Sequence, residues 1–243
     1  MSIAVGVQRR LFPSNALRVP GFDISGRAFP ADSTCGDYYD YLRISDNCLG
    51  IVIADVRGHG VGPALVMAQT RAYLRAFSRF TLNPSEILCR INNMLSADLE
   101  TGHFVTMVLV FLDLQSGSLV YANAGHPSAY IFDRDGNVRC HLKSTGLPLG
   151  LFPDCDFGTC RDLGLAPGDL LMMLTDGLLE CESSDEQEFG VARTHEVIAR
   201  HHQAEASVIV DALHAAACSF TNRHRQEDDM TFVVCRRLAQ DEM

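Results

Sequence analysis

One stretch of the chain, from Leu49 to Leu65, constrains the fold more than any other. An apolar run, Leu49 to Ala54, ends in a single carboxylate, Asp55, and a turn with three glycines then leads into an amphipathic segment near Pro63. This order predicts a buried strand, a tight turn and a helix. A carboxylate at the end of a buried strand is costly unless it is paired or bound to a cation. The glycines would let the backbone approach whatever Asp55 holds.

Three other acidic clusters lie at similar apolar edges, and they contain Asp37, Asp176 and Asp228. Two like charges about 4 Å apart repel by roughly 4 kcal/mol at an effective dielectric of 20, so four converging carboxylates would need cations. Oxygen ligands suit Mg²⁺ or Mn²⁺ rather than zinc. Two such ions would activate a water and hold a phosphate for in-line attack. The alternative is that each aspartate is a cap or turn residue, since the sequence alone does not show that the four converge.

Composition excludes several classes of function. The 243 residues are 47% hydrophobic, enough for one well-packed domain. A net charge of −10 without a basic stripe argues against binding to nucleic acid. No apolar run approaches the ~20 residues of a membrane span, and the N-terminus lacks the pattern of a signal peptide. No membrane partner is therefore expected. Nine cysteines, an odd number without a Cys-x-x-Cys pair, predict reduced, buried thiols in a cytoplasmic protein, and they do not indicate a zinc site.

The pattern of apolar residues predicts an α+β protein. Segments 63–80 and 83–99 have helical periodicity and a short link, which indicates a helical hairpin lying on one sheet. About ten strands are expected, and those beginning near Phe22, Cys35 and Leu49 are predicted to form an antiparallel set with Asp37 and Asp55 at one end. No linker or repeat divides the chain. We therefore expect one domain over residues 1–243, with two antiparallel sheets packed face to face and helices outside.

Seven short motifs together resemble one known family, and their order and spacing make the match specific. The sequence resembles the PPM group, the metal-dependent (type-2C) serine/threonine protein phosphatases, in its bacterial SpoIIE-like branch. The resemblance implies an α-β-β-α sandwich flanked by helical hairpins. The motifs in chain order are Gln8-Arg-Arg-Leu-Phe-Pro, Cys35-Gly-Asp-Tyr-Tyr-Asp, Ala54-Asp-Val-Arg-Gly-His-Gly, Asn123-Ala-Gly-His-Pro, Gly146-Leu-Pro-Leu-Gly, Thr175-Asp-Gly-Leu and Asp228-Asp-Met-Thr.

The resemblance also implies a set of ligands for two ions of Mn²⁺ or Mg²⁺. By motif match, Asp55 would bridge both ions and the backbone carbonyl of Val56 would bind one of them. Asp176 and Asp228 would complete the site, and Asp37 would hold an ion directly or through water. Two neighbouring acids are expected to act less directly: Asp40 would support the ligands from behind, and Asp229 would be a turn residue or a similar support.

Four further residues within these motifs have separate interpretations, and for two of them alternatives stay open. His59 could protonate the leaving serine oxygen as a general acid, since its usual pKa suits that role, or it could orient the loop or hydrogen-bond Asp55. Arg57 stands where the family usually has a small residue, and it could bind a substrate phosphate with two hydrogen bonds or point into solvent. Cys35 replaces the first glycine of the family's usual Gly-Gly-Asp. His126, in a Gly-His-Pro turn, is interpreted as structural.

These observations predict a metal-dependent phosphatase that acts on phosphoserine or phosphothreonine. By resemblance only, the phosphorylated protein substrate would be a small regulator of the anti-sigma-antagonist type. Two alternatives remain: a catalytically silent module that binds a partner through the helical hairpin 63–99, and a hydrolase of small phosphate esters. The same hairpin is predicted to form a homodimer and to regulate metal affinity, and residues 1–12 could be the end of a linker helix.

Overall fold

The computed structural model describes residues 2–13, 16–222 and 226–239 and arranges them in four layers, helix–sheet–sheet–helix. Residue 1 of the predicted linker helix and both ends of the predicted domain 1–243 lie outside these ranges. The helices are α1 (Ser2–Arg9), α2 (Val61–Phe77), α3 (Pro84–Asp98), α4 (Asp176–Leu179), α5 (Gly190–His201) and α6 (Ala206–Thr221). The strands are β1 (Leu17–Val19), β2 (Phe22–Phe29), β3 (Tyr38–Arg43), β4 (Cys48–Val56), β5 (Val105–Asp113), β6 (Ser118–Ala124), β7 (Ser128–Phe132), β8 (Val138–His141), β9 (Cys160–Gly164), β10 (Leu170–Leu174) and β11 (Met230–Arg237).

The strands form two sheets in which every neighbouring pair is antiparallel. The five-stranded sheet has the order β3-β4-β5-β6-β9, and the six-stranded sheet has the order β1-β2-β11-β10-β7-β8. This architecture confirms the predicted α+β fold with two antiparallel sheets and helices outside. None of the described helices is long and apolar enough to cross a membrane.

The predicted set of three antiparallel strands is wrong in one respect. Strand β3 pairs with β4, but β2 lies in the other sheet, where it pairs with β1 and β11. The chain crosses from one sheet to the other in the loop between Phe29 and Tyr38. Alternating apolar residues show that a strand has a buried face but not which strand it pairs with, so the sequence pattern could not separate these arrangements.

Three apolar layers hold the sandwich together. Strand β4 shows how one strand serves two of them, because its side chains alternate between its faces. Ile51 and Ile53 point into the layer between the two sheets, whereas Val52 and Ala54 pack under the hairpin of α2 and α3. The third layer lies between the six-stranded sheet and helices α5 and α6. Because β4 is buried on both faces, it is an almost continuous apolar run in the sequence.

The helical hairpin forms as predicted, with small shifts at its ends. Helix α2 begins at Val61 and ends at Phe77, and α3 begins at Pro84 after Asn83, whose side chain accepts a hydrogen bond of 3.1 Å from the backbone N–H of Ser85. Such a cap satisfies one of the free N–H groups at the start of a helix. The hairpin covers the five-stranded sheet, which is the sheet that carries Asp37 and Asp55 at its end.

All nine cysteines are free thiols, but the expectation that they are buried is largely wrong. Only Cys35 and Cys235 are buried, six others are half-buried, and Cys218 is exposed. The six half-buried cysteines pack against the three apolar layers but are not enclosed by them, so an apolar neighbourhood in sequence does not ensure full burial.

Asp40 lies on the helix side of β3 and anchors α2, rather than supporting the other carboxylates as predicted. Its buried carboxylate accepts hydrogen bonds from Arg75 Nε and Nη2 at 2.7 and 2.8 Å and from the Tyr38 hydroxyl at 2.6 Å. Arg71 lies 3.8 Å away on the previous turn of the helix. A carboxylate held by a bidentate arginine is a strong and directional contact.

We expect the Asp40→Ala substitution to lower the free energy of unfolding by about 3 kcal/mol, because it leaves Arg75 and the Tyr38 hydroxyl without their buried partner. The matched control is Asp46→Ala, which removes a pair with Arg43 whose side chains are 79% and 94% exposed. An exposed pair contributes under about 1 kcal/mol. Urea denaturation of both variants measures the difference, and equal losses would contradict the anchoring role of Asp40.

Candidate metal centre and catalytic cleft

The structure brings the predicted carboxylates to one end of the sandwich. Asp37 precedes β3 and Asp55 lies near the end of β4, and the pairing of Tyr38 with Ala54 places the two aspartates side by side. Asp176 begins α4 directly after β10, and Asp228 lies just before β11, the strand next to β10. Each sheet therefore contributes two carboxylates, and Asp55, Asp176 and Asp228 line one cleft.

Burial and mutual repulsion raise the pKa values of three of these carboxyls. For Asp55 the pKa rises to about 7, first through burial and then through the negative charges of Asp176 and Asp228. Burial and then the charge of Asp55 raise the pKa of Asp37 well above its usual range. The pKa of Asp228 is also raised, mainly by burial. Full ionisation of this cluster at neutral pH therefore requires compensating positive charge.

Thr175 joins the two sheets at the site. The motif that contains it predicts a role for Asp176, and none for the threonine itself. Its hydroxyl donates a hydrogen bond of 2.8 Å to Asp37 Oδ2 and accepts one of 3.0 Å from the backbone N–H of Thr231. The backbone N–H of Thr175 donates to the carbonyl of Thr231 at 3.1 Å. Thr175 thus fixes Asp37, at the end of one sheet, to β10 and β11 of the other. A threonine between an apolar run and Asp176 was the available signal.

Asp229 holds the loop that precedes Asp37. Its carboxylate is buried and accepts hydrogen bonds from the backbone N–H groups of Ala31 at 2.8 Å and of Gly36 at 2.7 Å. The neighbouring Asp228 is exposed and lines the cleft, and its Oδ1 accepts a hydrogen bond of 2.8 Å from the backbone N–H of Asp229. The two adjacent acids therefore have different roles, because Asp229 positions the backbone whereas Asp228 presents a carboxylate to the cleft.

Two glycines let backbone strands meet closely around the site. A Cβ on Gly36 would lie 3.0 Å from the carbonyl oxygen of Val56, and one on Gly177 would lie 2.0 Å from the carbonyl oxygen of Asp229. The carbonyl of Val56, a predicted ligand, therefore lies directly against the turn that carries Asp37. A side chain at either glycine would clash with the carbonyl oxygen that faces it and push the two backbone segments apart.

Cys35 fits beside this turn without exposing its thiol. Its backbone carbonyl accepts a hydrogen bond of 2.6 Å from Gln8 Nε2, and its N–H donates one of 3.0 Å to Gln8 Oε1. Burial, and then the charges of Asp37 and Asp229, raise the pKa of the Cys35 thiol, so the thiol stays protonated. Gln8 of α1 thus fixes the turn that the family usually builds with an additional glycine.

His126 links the sheets behind the carboxylates. Its ring is buried, with Nδ1 2.9 Å from Thr106 Oγ1 on β5 and Nε2 2.9 Å from the carbonyl oxygen of Leu174 on β10. Burial lowers its pKa to about 4, so the ring is neutral at physiological pH. Thr106 pairs with Asp55 across β4 and β5, and this contact therefore stabilises the backbone that presents Asp55.

Arg57 and His59 lie at the exposed edge of a cleft of about 700 Å³. Arg57 does not simply point into solvent, because its Nη1 donates a hydrogen bond of 2.9 Å to the carbonyl of Gly102 and its guanidinium lies 5.4 Å from the centre of the Phe104 ring. His59 makes no hydrogen bond to Asp55 among the described contacts. Its charge instead lowers the pKa of Asp228 across the cleft.

The chemistry of the donors fits hard divalent cations. The groups that converge are carboxylates and one backbone carbonyl, which are the ligands that Mg²⁺ and Mn²⁺ prefer. Within the described ranges, no group of three or more His, Cys, Asp or Glu side chains has the spacing of a ready-formed metal site. Ions would therefore have to draw the carboxylates closer together, and their positive charge would offset the repulsion that raises the pKa values of Asp37 and Asp55.

The fold is that of the type-2C phosphatase domains. The SiaA-PP2C domain of Pseudomonas aeruginosa superimposes with a TM-score of 0.83, covering 96% of this chain and 94% of that one at 24% identity. The family model for stage II sporulation protein E (SpoIIE) matches residues 45–238. The chain therefore belongs to the SpoIIE family.

Two curated relatives cover nearly the whole chain. Protein IcfG of Synechocystis is 28% identical over 95% of this chain, and the phosphoserine phosphatase RsbU of Bacillus subtilis is 26% identical over 98%. The matched region spans 40% of IcfG and 70% of RsbU. Both relatives are thus longer than the region that they share with this chain.

The Asp55→Asn substitution should make the metal-free protein relatively more stable as the pH rises from about 4 to about 7. In this window the folded parent binds more protons at Asp55 than the unfolded chain does, because its pKa is raised to about 7, so its free energy of unfolding falls with pH. An asparagine does not titrate and removes this contribution. Urea denaturation in a chelator, repeated across the window, measures the difference between parent and variant; parallel curves would contradict it.

Proposed function

We propose that this chain is a Mn²⁺- or Mg²⁺-dependent phosphatase that hydrolyses phosphoserine or phosphothreonine in proteins. One observation carries the proposal: Asp55, Asp176 and Asp228 line one cleft and Asp37 lies buried beside Asp55. Burial, and then the charges of neighbouring acids, raise the pKa values of Asp37 and Asp55. Membership of the SpoIIE family and the likeness to RsbU, a phosphoserine phosphatase, support the same activity. Metal dependence is typical of the type-2C class.

The proposed ligands divide between the two sheets. Asp55 would bridge two ions, the Val56 carbonyl and Asp37 would complete the ligands from the five-stranded sheet, and Asp176 and Asp228 would come from the other. When bound, the ions supply an activated water and stabilise the charge on the transferred phosphoryl group. The protein contributes the fixed positions of these oxygens, through Thr175 at Asp37 and through the close backbone contacts at Gly36 and Gly177.

Two residues at the cleft edge have proposed roles toward the substrate. His59 would donate a proton to the serine oxygen as it leaves, because it is exposed, lines the cleft and faces Asp228. Arg57 would bind the phosphate or an acidic group beside it. Its present contacts with Gly102 and Phe104 hold the guanidinium at the edge, so that binding would require a modest change of rotamer.

The substrate class separates the proposal from its two alternatives. A phosphorylated regulatory protein of the anti-sigma-antagonist type is favoured by the likeness to RsbU and by an open cleft that can admit a peptide segment. A small phosphate ester would fit the same cleft. A silent binding module is disfavoured because Asp37, Asp55, Asp176 and Asp228 are all retained.

Assembly through the hairpin 63–99 also stays a proposal. Leu65 of α2 is 67% exposed and Val61 is 51% exposed, which gives the hairpin an apolar outer surface. A homodimer there would sit next to the turn that carries Asp55, so association could alter metal affinity. Light scattering of the purified chain tests this assembly, and a monomer at high concentration would exclude it.

The single domain over 1–243 remains a prediction.

Hydrolysis of an aryl phosphate and of a phosphoserine peptide should require millimolar Mn²⁺ or Mg²⁺ and fall to background in Asp55→Asn. The substitution removes the charge proposed to bridge both ions. Asp46→Asn, at an exposed turn far from the cleft, is the matched control and should retain full activity. Steady-state rates with and without metal measure the effect. Metal-independent hydrolysis, or an active Asp55→Asn protein, would refute the proposed centre.

The His59→Gln substitution should slow hydrolysis most for esters with poor leaving groups. A general acid contributes about 10²–10⁴-fold when the leaving oxygen needs a proton, and little when it does not. We therefore expect a large loss with an alkyl phosphate or phosphoserine peptide and a small loss with a nitrophenyl phosphate. Comparison of kcat/KM for these substrates measures the difference. Equal losses for both would assign His59 to loop orientation instead.

A further inference from the structure

A second group of reactive side chains lies in the wall of the same cleft, and the proposed hydrolysis does not use it. Cys181, His214 and Cys218 line the cleft on the side formed by α6 and by the segment that follows α4. Two thiols and an imidazole are soft, nucleophilic groups, whereas the metal centre nearby consists of oxygen ligands. The two thiols and the imidazole therefore point to a chemistry other than metal-dependent hydrolysis.

Backbone and ring contacts hold the two cysteines against the same part of α6. The carbonyl of Cys181 accepts a hydrogen bond of 2.9 Å from the N–H of Phe189. The Phe189 ring meets the Phe220 ring edge-on, with centroids 5.3 Å apart. Phe220 lies on α6 only two residues beyond Cys218. The segment that carries Cys181 is thus tied to the turn of the helix that carries Cys218.

Cys218 has the surroundings of a reactive thiol. It is exposed, and its Sγ lies 3.6 Å from Nε2 of His214, one turn earlier on α6. The His214 ring is fixed by stacking on Phe29, with centroids 3.7 Å apart. Burial, and then the charge of Arg27, lower the pKa of His214, so its imidazole is neutral and able to accept the thiol proton.

Cys181 is suited to the second step of a thiol reaction. It is half-buried, its Sγ donates to the carbonyl of Leu178 at 3.1 Å, and it has less access to solvent than Cys218. Burial, and then the charge of Cys218, raise its pKa to about 11. Cys181 and Cys218 both line the cleft.

We propose that Cys218 and Cys181 form a peroxide-sensitive thiol pair in the cleft wall. His214 takes the proton of Cys218, and the Cys218 sulfur attacks one oxygen of a hydroperoxide. The O–O bond breaks, giving a sulfenic acid on Cys218 and releasing water or an alcohol. The Cys181 sulfur then attacks the Cys218 sulfur, the S–O bond breaks and water leaves, so that two thiols are oxidised by two electrons to one disulfide.

The disulfide would fix the segment after α4 to α6. That segment includes Glu180 and Glu182, which line the cleft close to Asp176. Its position would then no longer adjust to an incoming peptide. The pair is thus a modification site that acts on the shape of the cleft and leaves the carboxylates themselves unchanged.

Peptide mass spectrometry of the full chain tests the pair directly and does not depend on phosphatase activity. The reduced protein is treated with hydrogen peroxide, free thiols are blocked with N-ethylmaleimide, and the protein is digested without reductant. We expect the Cys181–Cys218 cross-linked peptide to be the main disulfide, and dithiothreitol to reverse it. Cysteine pairs formed at random, or a Cys218 sulfenic or sulfinic acid with Cys181 still blocked by maleimide, would overturn the proposal.

Four variants complete the test. Cys218→Ser and Cys181→Ser should each abolish the cross-link, and far-ultraviolet circular dichroism checks that both are folded. Cys89→Ser, on α3 at the opposite side of the sandwich, is the matched control and should leave the yield unchanged. His214→Gln should slow the labelling of Cys218 by iodoacetamide several-fold, since the proton acceptor is lost. An undiminished total yield of peroxide-induced disulfides in Cys218→Ser, or unchanged labelling of Cys218 in His214→Gln, would contradict the assignment.

Discussion

Repulsion among the clustered carboxylates of the site is the constraint on which the rest of the structure depends. Asp37 and Asp55 end one sheet, Asp176 and Asp228 lie at the end of the other, and packing of the two sheets brings all four together. Like charges in a partly dry site repel by several kcal/mol, so the apolar layer between the sheets must hold them against that force. Burial, and then this repulsion, raise the pKa values of Asp37 and Asp55.

The hydrogen bonds around the site can resist this repulsion, because most of them join one sheet to the other. Thr175 connects β10 to Asp37, and His126 connects β10 to β5 behind Asp55. Asp229 does the same for the loop before β3 by accepting two backbone hydrogen bonds. Thr175 and His126 are neutral and position the acids of the site without adding charge. Asp229 positions the loop at a cost, because its own charge contributes to the raised pKa values of Asp37 and Asp55.

Much of the site was predictable from the sequence because its carboxylates follow strands whose apolar runs are unmistakable. Asp55 after Leu49–Ala54 and Asp176 after β10 are of this kind. The apolar pattern could not show which strands pair or which side chains contact one another. The alternation of β2 shows a buried face in either sheet, and Asp40 looks like a site acid because it lies three residues from Asp37.

Strand geometry explains the error over Asp40 and shows which sequence signal could have prevented it. Side chains along β3 alternate, so Asp40 shares a face with Tyr38 and Leu42 and points to the helices, whereas Asp37 precedes the strand at its end. Arg71 and Arg75 stand four residues apart on α2, which places both on one helical face toward that strand. Two arginines at helical spacing opposite a single buried acid indicate an anchor. Helix α2 also begins at the turn that follows Asp55. A shift of this helix that disturbs the contact between Arg75 and Asp40 would therefore also move the backbone that presents Asp55.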